Sequence, residues 1–289
     1  MRIVSLLPSA TEILFAVGAG PDVVGVTHEC DYPAEARALP QLTSSALPHA
    51  GSPAEIDRHV RRSLHAGSSL YHLDADLLER LAPDLIVTQE LCKVCAVSYD
   101  IVDRAAKRLR SDPRIISLEP SSLEDVFATV LTLGDLTGRR ANADSVVREL
   151  RARVDALRSV RHSSRPRVLV LEWTDPPMSA GHWTPGLVEL AGGEPVLGNP
   201  GVNSRVLAWN EIAQSDPDDI IVGPCGFGIE QTRTAIAGLK RIAEWQALRA
   251  VREGRVHAID GNAYLNRPGP RLVDTAELIS EALHSTAAR

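Results

Sequence analysis

Seven short runs of Val, Ile and Leu recur along this chain, most of them separated by enough residues to hold a helix: Arg2–Leu7, Val23–Thr27, Asp84–Thr88, Arg114–Leu118, Arg167–Glu172, Asp219–Val222 and Arg255–Ile259. Runs that are apolar at successive positions belong to strands covered on both faces. Their alternation with segments of helical period predicts parallel sheets wrapped by helices, an α/β fold. Ser9 and Glu12 have the spacing of a capping box directly after the first run, and Gly18 and Gly20 are placed to stop the helix that follows.

The pattern is written twice. LERLAPDLIV (78–87) and EIAQSDPDDIIV (211–222) both read as a helix end, a Pro-Asp turn and a buried strand, and AVGAGPDVV (16–24) is loosely echoed by ELAGGEPVL (189–197). The second copy is shorter, so the repeat is structural rather than a short-period array. Between the copies, residues 138–165 carry no Gly after Gly138 and no Pro, and place Val146, Val147, Leu150, Val154 and Leu157 at helical spacing. This predicts an N-terminal lobe over 1–138, a connecting helix over 139–163 and a C-terminal lobe over 164–289. A helix of roughly twenty-five residues is about 38 Å long at about 1.5 Å per residue, a stiff joint where a Gly/Ser linker would be loose.

Composition removes several classes of function. With 289 residues, 44% hydrophobic and 24% charged, the chain is long enough for two cores. Its net charge of −6, with Lys and Arg scattered, offers nothing to nucleic acid or to an anionic membrane surface. Ser5, Ser9, Thr11 and Glu12 interrupt the apolar start, so no signal-peptide core is seen and a cytoplasmic protein is expected. An export signal upstream of Met1 would make it periplasmic or cell-surface instead. Its four cysteines, Cys30, Cys92, Cys95 and Cys225, are then expected as free thiols, metal ligands or redox groups rather than structural disulfides.

In open α/β sheets, ligands bind beyond the carboxyl ends of the strands. The segments there are Pro8-Ser9, His28 to Pro33, Gln89 to Cys95, Trp173 to Trp183, Gly223 to Gly228 and Gly261 to Arg271. Three of the four tryptophans (Trp173, Trp183, Trp209) and three of the four tyrosines (Tyr32, Tyr99, Tyr264) fall in or near them, in a chain with only 4% aromatic residues. Aromatic faces with a few polar groups suit a large, flat, partly apolar ligand; the alternative is that Trp173 and Trp209 plug the lobe cores.

The opening RIVSLLPSATEILFAVGA, then CDYP, LERLAPDLIV, DPPMSAG, AWNEIAQSDPDDIIV and the closing NRPGPRLVD together resemble the cobalamin-binding branch of the substrate-binding proteins of ABC importers. The resemblance runs in order along essentially the whole chain. It implies two Rossmann-like lobes with parallel sheets joined by one rigid helix, a corrinoid such as cobalamin held in the cleft between them, no catalysis, and delivery to an ABC permease by a monomer. Carried over by position, it makes Tyr32, Met178, Trp209 and Arg267 candidate ligand contacts. Pro8, Gln89, Glu90 and Tyr264 join them from the strand-end loops. Gln89 and Glu90 stand where the family often has an aromatic, and Ala263 where it can have an acidic residue. Permease docking falls to acidic surface residues, with Glu79, Asp100 and Asp103 among the candidates.

A second reading starts from His28 and Cys30 after one predicted strand and Cys92 and Cys95 after another. Converging on one rim, these four form a ligand set acceptable to tetrahedral zinc, or reach a corrin's cobalt. Packed apart, they are reduced thiols beside a solvent-facing imidazole. The metal set would belong to a cytosolic metal-, haem- or siderophore-handling protein or a corrinoid-processing enzyme. Cys225 lacks both the Lys-Ser/Thr of a phosphate loop and a neighbouring His. His182, beside Trp183, is the remaining histidine placed to reach the ligand.

Overall fold

The computed structural model describes residues 1–46, 51–66, 70–89 and 99–284. The first half of the chain runs β1 (Ile3–Ser5), α1 (Pro8–Ala16), β2 (Val23–Val26), β3 (Thr43–Ser45), α2 (Pro53–His65), β4 (Tyr71–Leu73), α3 (Ala75–Leu81), β5 (Leu85–Thr88), α4 (Tyr99–Ala106) and β6 (Arg114–Ser117), then α5 (Leu123–Leu136) and α6 (Arg140–Ser159). The second half runs β7 (Arg167–Thr174), β8 (Pro177–Ser179), α7 (Thr184–Leu190), β9 (Glu194–Val196), β10 (Arg205–Val206), α8 (Trp209–Ser215), β11 (Asp219–Val222), α9 (Ile229–Leu239), α10 (Ala243–Ala247), α11 (Arg249–Arg252), β12 (Val256–Ala258) and α12 (Leu272–His284). Every one of the seven expected strands forms. The short strands β3, β4, β8, β9 and β10 were not expected, because two or three residues give no periodicity to read.

The chain divides into two units. Met1–Gly51, Glu55–Glu119 and Phe127–Arg148 make the first; Ser52–Ala54, Pro120–Val126 and Glu149–Arg289 make the second. Helices α5 and α6 each contribute to both. Helix α6 has 20 residues and stops at Ser159, ahead of the Ser163-Ser164 pair whose hydroxyls compete for backbone hydrogen bonds.

In the first unit a parallel sheet has the order β2-β1-β5-β6, and β3 and β4 pair separately. Strands β1 and β5 are buried at every position, which is why their sequences are apolar except for a small hydroxyl residue, Ser5 or Thr88, at the carboxyl end. Val4, Leu6, Leu78, Ile86 and Val102 pack together as its core. The second sheet contains β9-β7-β11-β12 in parallel, the same order. To this plan it adds β8, antiparallel to the far half of the long β7, and β10, antiparallel to β8. Alternate residues of its strands enter two clusters, Val168, Val170 and Ile221 in one, Leu169, Leu171, Ile220 and Val222 in the other. Trp245, only 1% exposed, fills the second.

The duplication extends to hydrogen bonds. After α3, Ala82 turns into the left-handed region (φ 41) and the Asp84 carboxylate accepts the Arg2 amide at 2.7 Å; after α8, Asp216 does the same (φ 37) and Asp218 accepts the Arg167 amide, also at 2.7 Å. In return Asp84 N donates to Arg2 O and Asp218 N to Arg167 O, both at 2.8 Å. The arginine side chains repeat too, Arg2 donating to Leu81 O and Arg167 to Ser215 O. The ends of α1 and α7 match, with Gly18 at φ 83 and Gly192 at φ 84.

One expectation at a helix start is corrected. Helix α1 begins at Pro8 with Leu7 as its N-cap and no side-chain cap, so Ser9 and Glu12 form no capping box. Proline lacks an N–H and has its φ preset, which suits the first helical position and places the cap at Leu7.

Burial pushes the Asp218 carboxyl up, but the Arg167 amide and the Arg249 and Arg255 guanidinia outweigh it and hold its pKa below the ordinary value of 3.8. The stabilisation is therefore present above that value and lost as the pH falls below it. Asp218→Ala is expected to cost about 2 kcal/mol in urea unfolding at neutral pH. Asp218→Asn is expected to flatten the acid limb of the stability curve. An unchanged midpoint in both variants would mean that apolar packing alone fixes the start of β7.

Candidate functional site

Strand order reverses on either side of β1 in the first sheet and of β7 in the second. Each unit thus has a switch point, between β1 and β5 and between β7 and β11, where crossovers leave in opposite directions and open a crevice at the carboxyl ends. Pro8 follows β1 and Gln89 follows β5, so both stand at the first switch point; Pro8 is half-buried and Gln89 is 8% exposed. Tyr32, in the loop after β2, is 48% exposed.

The same loop shows why His28 and Cys30 do not act together. Cys30 is 2% exposed, and its Sγ lies 3.1 Å from Thr11 Oγ1 and 3.4 Å from Thr27 Oγ1. Thr11 Oγ1 also donates to Ser5 Oγ at 2.9 Å. The thiol is part of a buried hydroxyl net that ties β1, α1 and the loop together. His28 Nδ1 instead meets Thr43 Oγ1 at 2.7 Å, with its ring tilted on Tyr71. Cys92, Cys95 and Glu90 lie outside the described residues. Among the described residues no three His, Cys, Asp or Glu side chains gather as a metal would need, and the zinc reading gains no support.

In the second unit, Trp173 stands directly opposite Met178, and Met178 opposite Val206. Residues directly opposite in antiparallel strands share a face, so these three form one apolar row across β7, β8 and β10. Trp173 and Met178 are half-buried and Val206 is 48% exposed. Phe227, in the loop after β11, sets its ring against Trp173 in an edge-on pair with centroids 5.3 Å apart. Trp173 Nε1 donates to Asp175 O at 3.1 Å, which fixes the indole. The Cys225 amide donates to Glu172 O at 3.1 Å, seating the exposed thiol next to the row. Beside the row, Arg205 forms a two-pronged ion pair with Glu211, so neither charge is left over.

Trp209 is half-buried and edges onto Trp245, with centroids 6.2 Å apart, so part of its surface serves the core. Tyr264 lies in the single wide turn Gly261–Leu265 after β12, under the Arg271 guanidinium. Arg267 is 5% exposed and donates to Asn262 Oδ1 at 2.9 Å. Asp260 Oδ1 caps the turn at Ala263 N, and Asn266 Nδ2 donates to the carbonyls of Gly223 and Gly261. Gly261 is required here, because a Cβ would stand 2.1 Å from Pro224 O.

Val206 was not picked out from sequence, because a two-residue strand has no period. Its signal was present in VLAW, where Val206 and Leu207 point to opposite faces and only Leu207 is buried.

The profile of the periplasmic binding protein family matches residues 3–263. A cobalamin-binding protein of Halobacterium salinarum is 24% identical over 291 residues, covering 99% of this chain and 70% of the relative. Among solved structures, the periplasmic heme-binding protein RhuT from Roseiflexus sp. RS-1 superposes with a TM-score of 0.74 at 24% identity, covering 100% of this chain and 99% of that one. The periplasmic vitamin B12-binding protein BtuF of Vibrio cholerae gives 0.69 at 22% identity, covering 98% and 96%. These likenesses bear out the two-unit α/β fold. No described helix is long and apolar enough to cross a membrane. Both solved neighbours are periplasmic, so the cytoplasmic placement expected from the first residues gains no support.

Gly261→Ala is expected to destabilise the second unit by about 1–3 kcal/mol, because backbone rather than a flexible side chain must move. Urea unfolding reads the loss, and a variant as stable as wild type would show that the turn adjusts freely.

Proposed function

The chain belongs to the periplasmic binding protein family, and from that premise we propose that it is a non-catalytic receptor for a corrinoid, delivering it to an ABC permease from the extracytoplasmic side. The observation that carries this reading is the apolar row Trp173, Met178 and Val206 with Phe227 at the switch point of the second unit. A flat macrocycle covers such a row at little entropic cost, since the indole is already fixed. Pro8, Tyr32 and Gln89 offer the first unit's contacts, with Glu90 beyond the described residues. Trp209 and Tyr264 flank the second. Arg267, bonded to Asn262, orders the closing turn rather than standing free.

The Halobacterium and Vibrio relatives bind cobalamin or vitamin B12, and RhuT binds heme. The shared chemistry is a metal-centred tetrapyrrole, and the corrinoid is favoured by the first pair and by the motifs in DPPMSAG and AWNEIAQ. A reading that uses Cys30 as a zinc ligand or reactive thiol is less well supported, since its Sγ is already engaged by Thr11 and Thr27.

Visible-absorbance titration of the full chain with cyanocobalamin is expected to saturate with a shifted corrin spectrum. Trp173→Ala should weaken binding by about tenfold or more. Absence of saturable corrinoid binding in the wild type would sink the proposal, and saturable binding of haem alone would move the ligand to that class.

A further inference from the structure

His182 stands in the loop that leads from β8 into α7, four residues beyond Met178. Its backbone lies in the left-handed region at φ 51, where a residue with a Cβ is uncommon and persists only when its surroundings hold it. The holding groups are specific. His182 N donates to Val202 O at 2.8 Å, and Gly201 N donates back to His182 O at 2.9 Å. Gly181 lies so close to the same segment that a Cβ would be 2.3 Å from Val202 O. The imidazole stacks on Trp183 at 5.6 Å between centroids, and Trp183 Nε1 is tied to Leu265 O at 2.9 Å. The ring is thus aimed and half-buried, yet among the described residues neither of its nitrogens has a hydrogen-bond partner. Of the other half-buried histidines, His28 uses a ring nitrogen on Thr43 and His257 one on Asp219.

An uncommon backbone conformation fixed from both sides, together with ring nitrogens that no described residue uses, leaves His182 available to a ligand. Burial pushes the His182 imidazole below its ordinary value, so at neutral pH it offers one N–H donor and one lone pair, with no charge. A carboxamide can use either group, since it is both donor and acceptor. A carboxylate accepts only, and a neutral, half-buried imidazole does not balance its charge. Corrinoids carry carboxamide arms around the macrocycle, whereas haem carries propionate carboxylates.

We propose that His182 is a specificity-determining contact that reads the edge of the tetrapyrrole, favouring a macrocycle with carboxamide arms over one with carboxylate arms. It rests on the tetrapyrrole reading above and adds which peripheral chemistry the second unit selects.

Because φ is positive, His182→Gly removes the side chain without backbone strain, and His182→Asn keeps a donor and an acceptor in a residue that tolerates this conformation. Wild type and both variants are titrated at neutral pH with cyanocobalamin, with dicyanocobinamide, which lacks the nucleotide, and with hemin. Thermal melts check that all three proteins fold. The Gly variant is expected to lose about tenfold in affinity for both corrinoids, the equivalent of one net hydrogen bond, and none for hemin. The Asn variant should stay within about threefold of wild type for all ligands. Equal losses for corrinoid and hemin in the Gly variant, or no loss for the corrinoids, would overturn the inference while leaving the receptor reading intact. Failure of the wild type to bind either class of macrocycle would overturn both.

Discussion

Two carboxylates set the frame of this molecule. Asp84 and Asp218 each follow a left-handed residue and a proline, and each grips the first amide of the strand beside it, Arg2 or Arg167. A parallel strand pair has no hairpin to fix its register, so something must define where the two strands start together. Here the Pro-Asp turn does so, with its own amide returning a bond to the same arginine. Because the grip is made at the amino ends of β1–β5 and β7–β11, it fixes the level at which the opposite ends of those pairs emerge.

Those opposite ends are the switch points, and the candidate contacts follow from them. At the first stand Pro8 and Gln89, and in the same unit Ser5, Thr11, Thr27 and Cys30 form a buried hydroxyl–thiol net. At the second, β8 and β10 are added to β7 and turn its last residues into part of a three-strand apolar row. The addition distinguishes the two copies of the plan: beyond the level where β1 gives way to α1, the long β7 continues and presents Trp173 beside Met178 and Val206. Gly261, packed against the carbonyl of Pro224, lets the turn after β12 come close enough for Asn266 to tie it to Gly223.

Much of this was legible in the chain. The seven apolar runs named the parallel strands, because a strand covered on both faces is apolar at consecutive positions. The Pro-Asp echo located the duplicated turn. The tryptophans divided as their positions suggest: Trp245, inside a helical segment, is fully buried, while Trp173, Trp183 and Trp209, in or beside strand-end loops, keep part of their surface. The capping box misled because Ser9 and Glu12 have the right spacing two residues too late, after Leu7 had served as the cap and Pro8 had begun the helix. His28 and Cys30, two residues apart in one loop, take different partners, Thr43 for the imidazole and Thr11 and Thr27 for the thiol, a divergence that their spacing along the chain does not record.

The sequence by itself thus determined the class of fold, its internal repeat and the loops in which a ligand is to be sought, since local periodicity and turn chemistry depend on neighbours along the chain. Only the tertiary structure decided which side chains in those loops are spent. Arg267 is engaged by Asn262, Cys30 by two threonines and Arg205 by Glu211, while among the described residues the ring nitrogens of His182 have no partner. Hydrogen bonds and ion pairs form between residues far apart in the chain, and no pattern of spacing records whether a polar group has already found its partner.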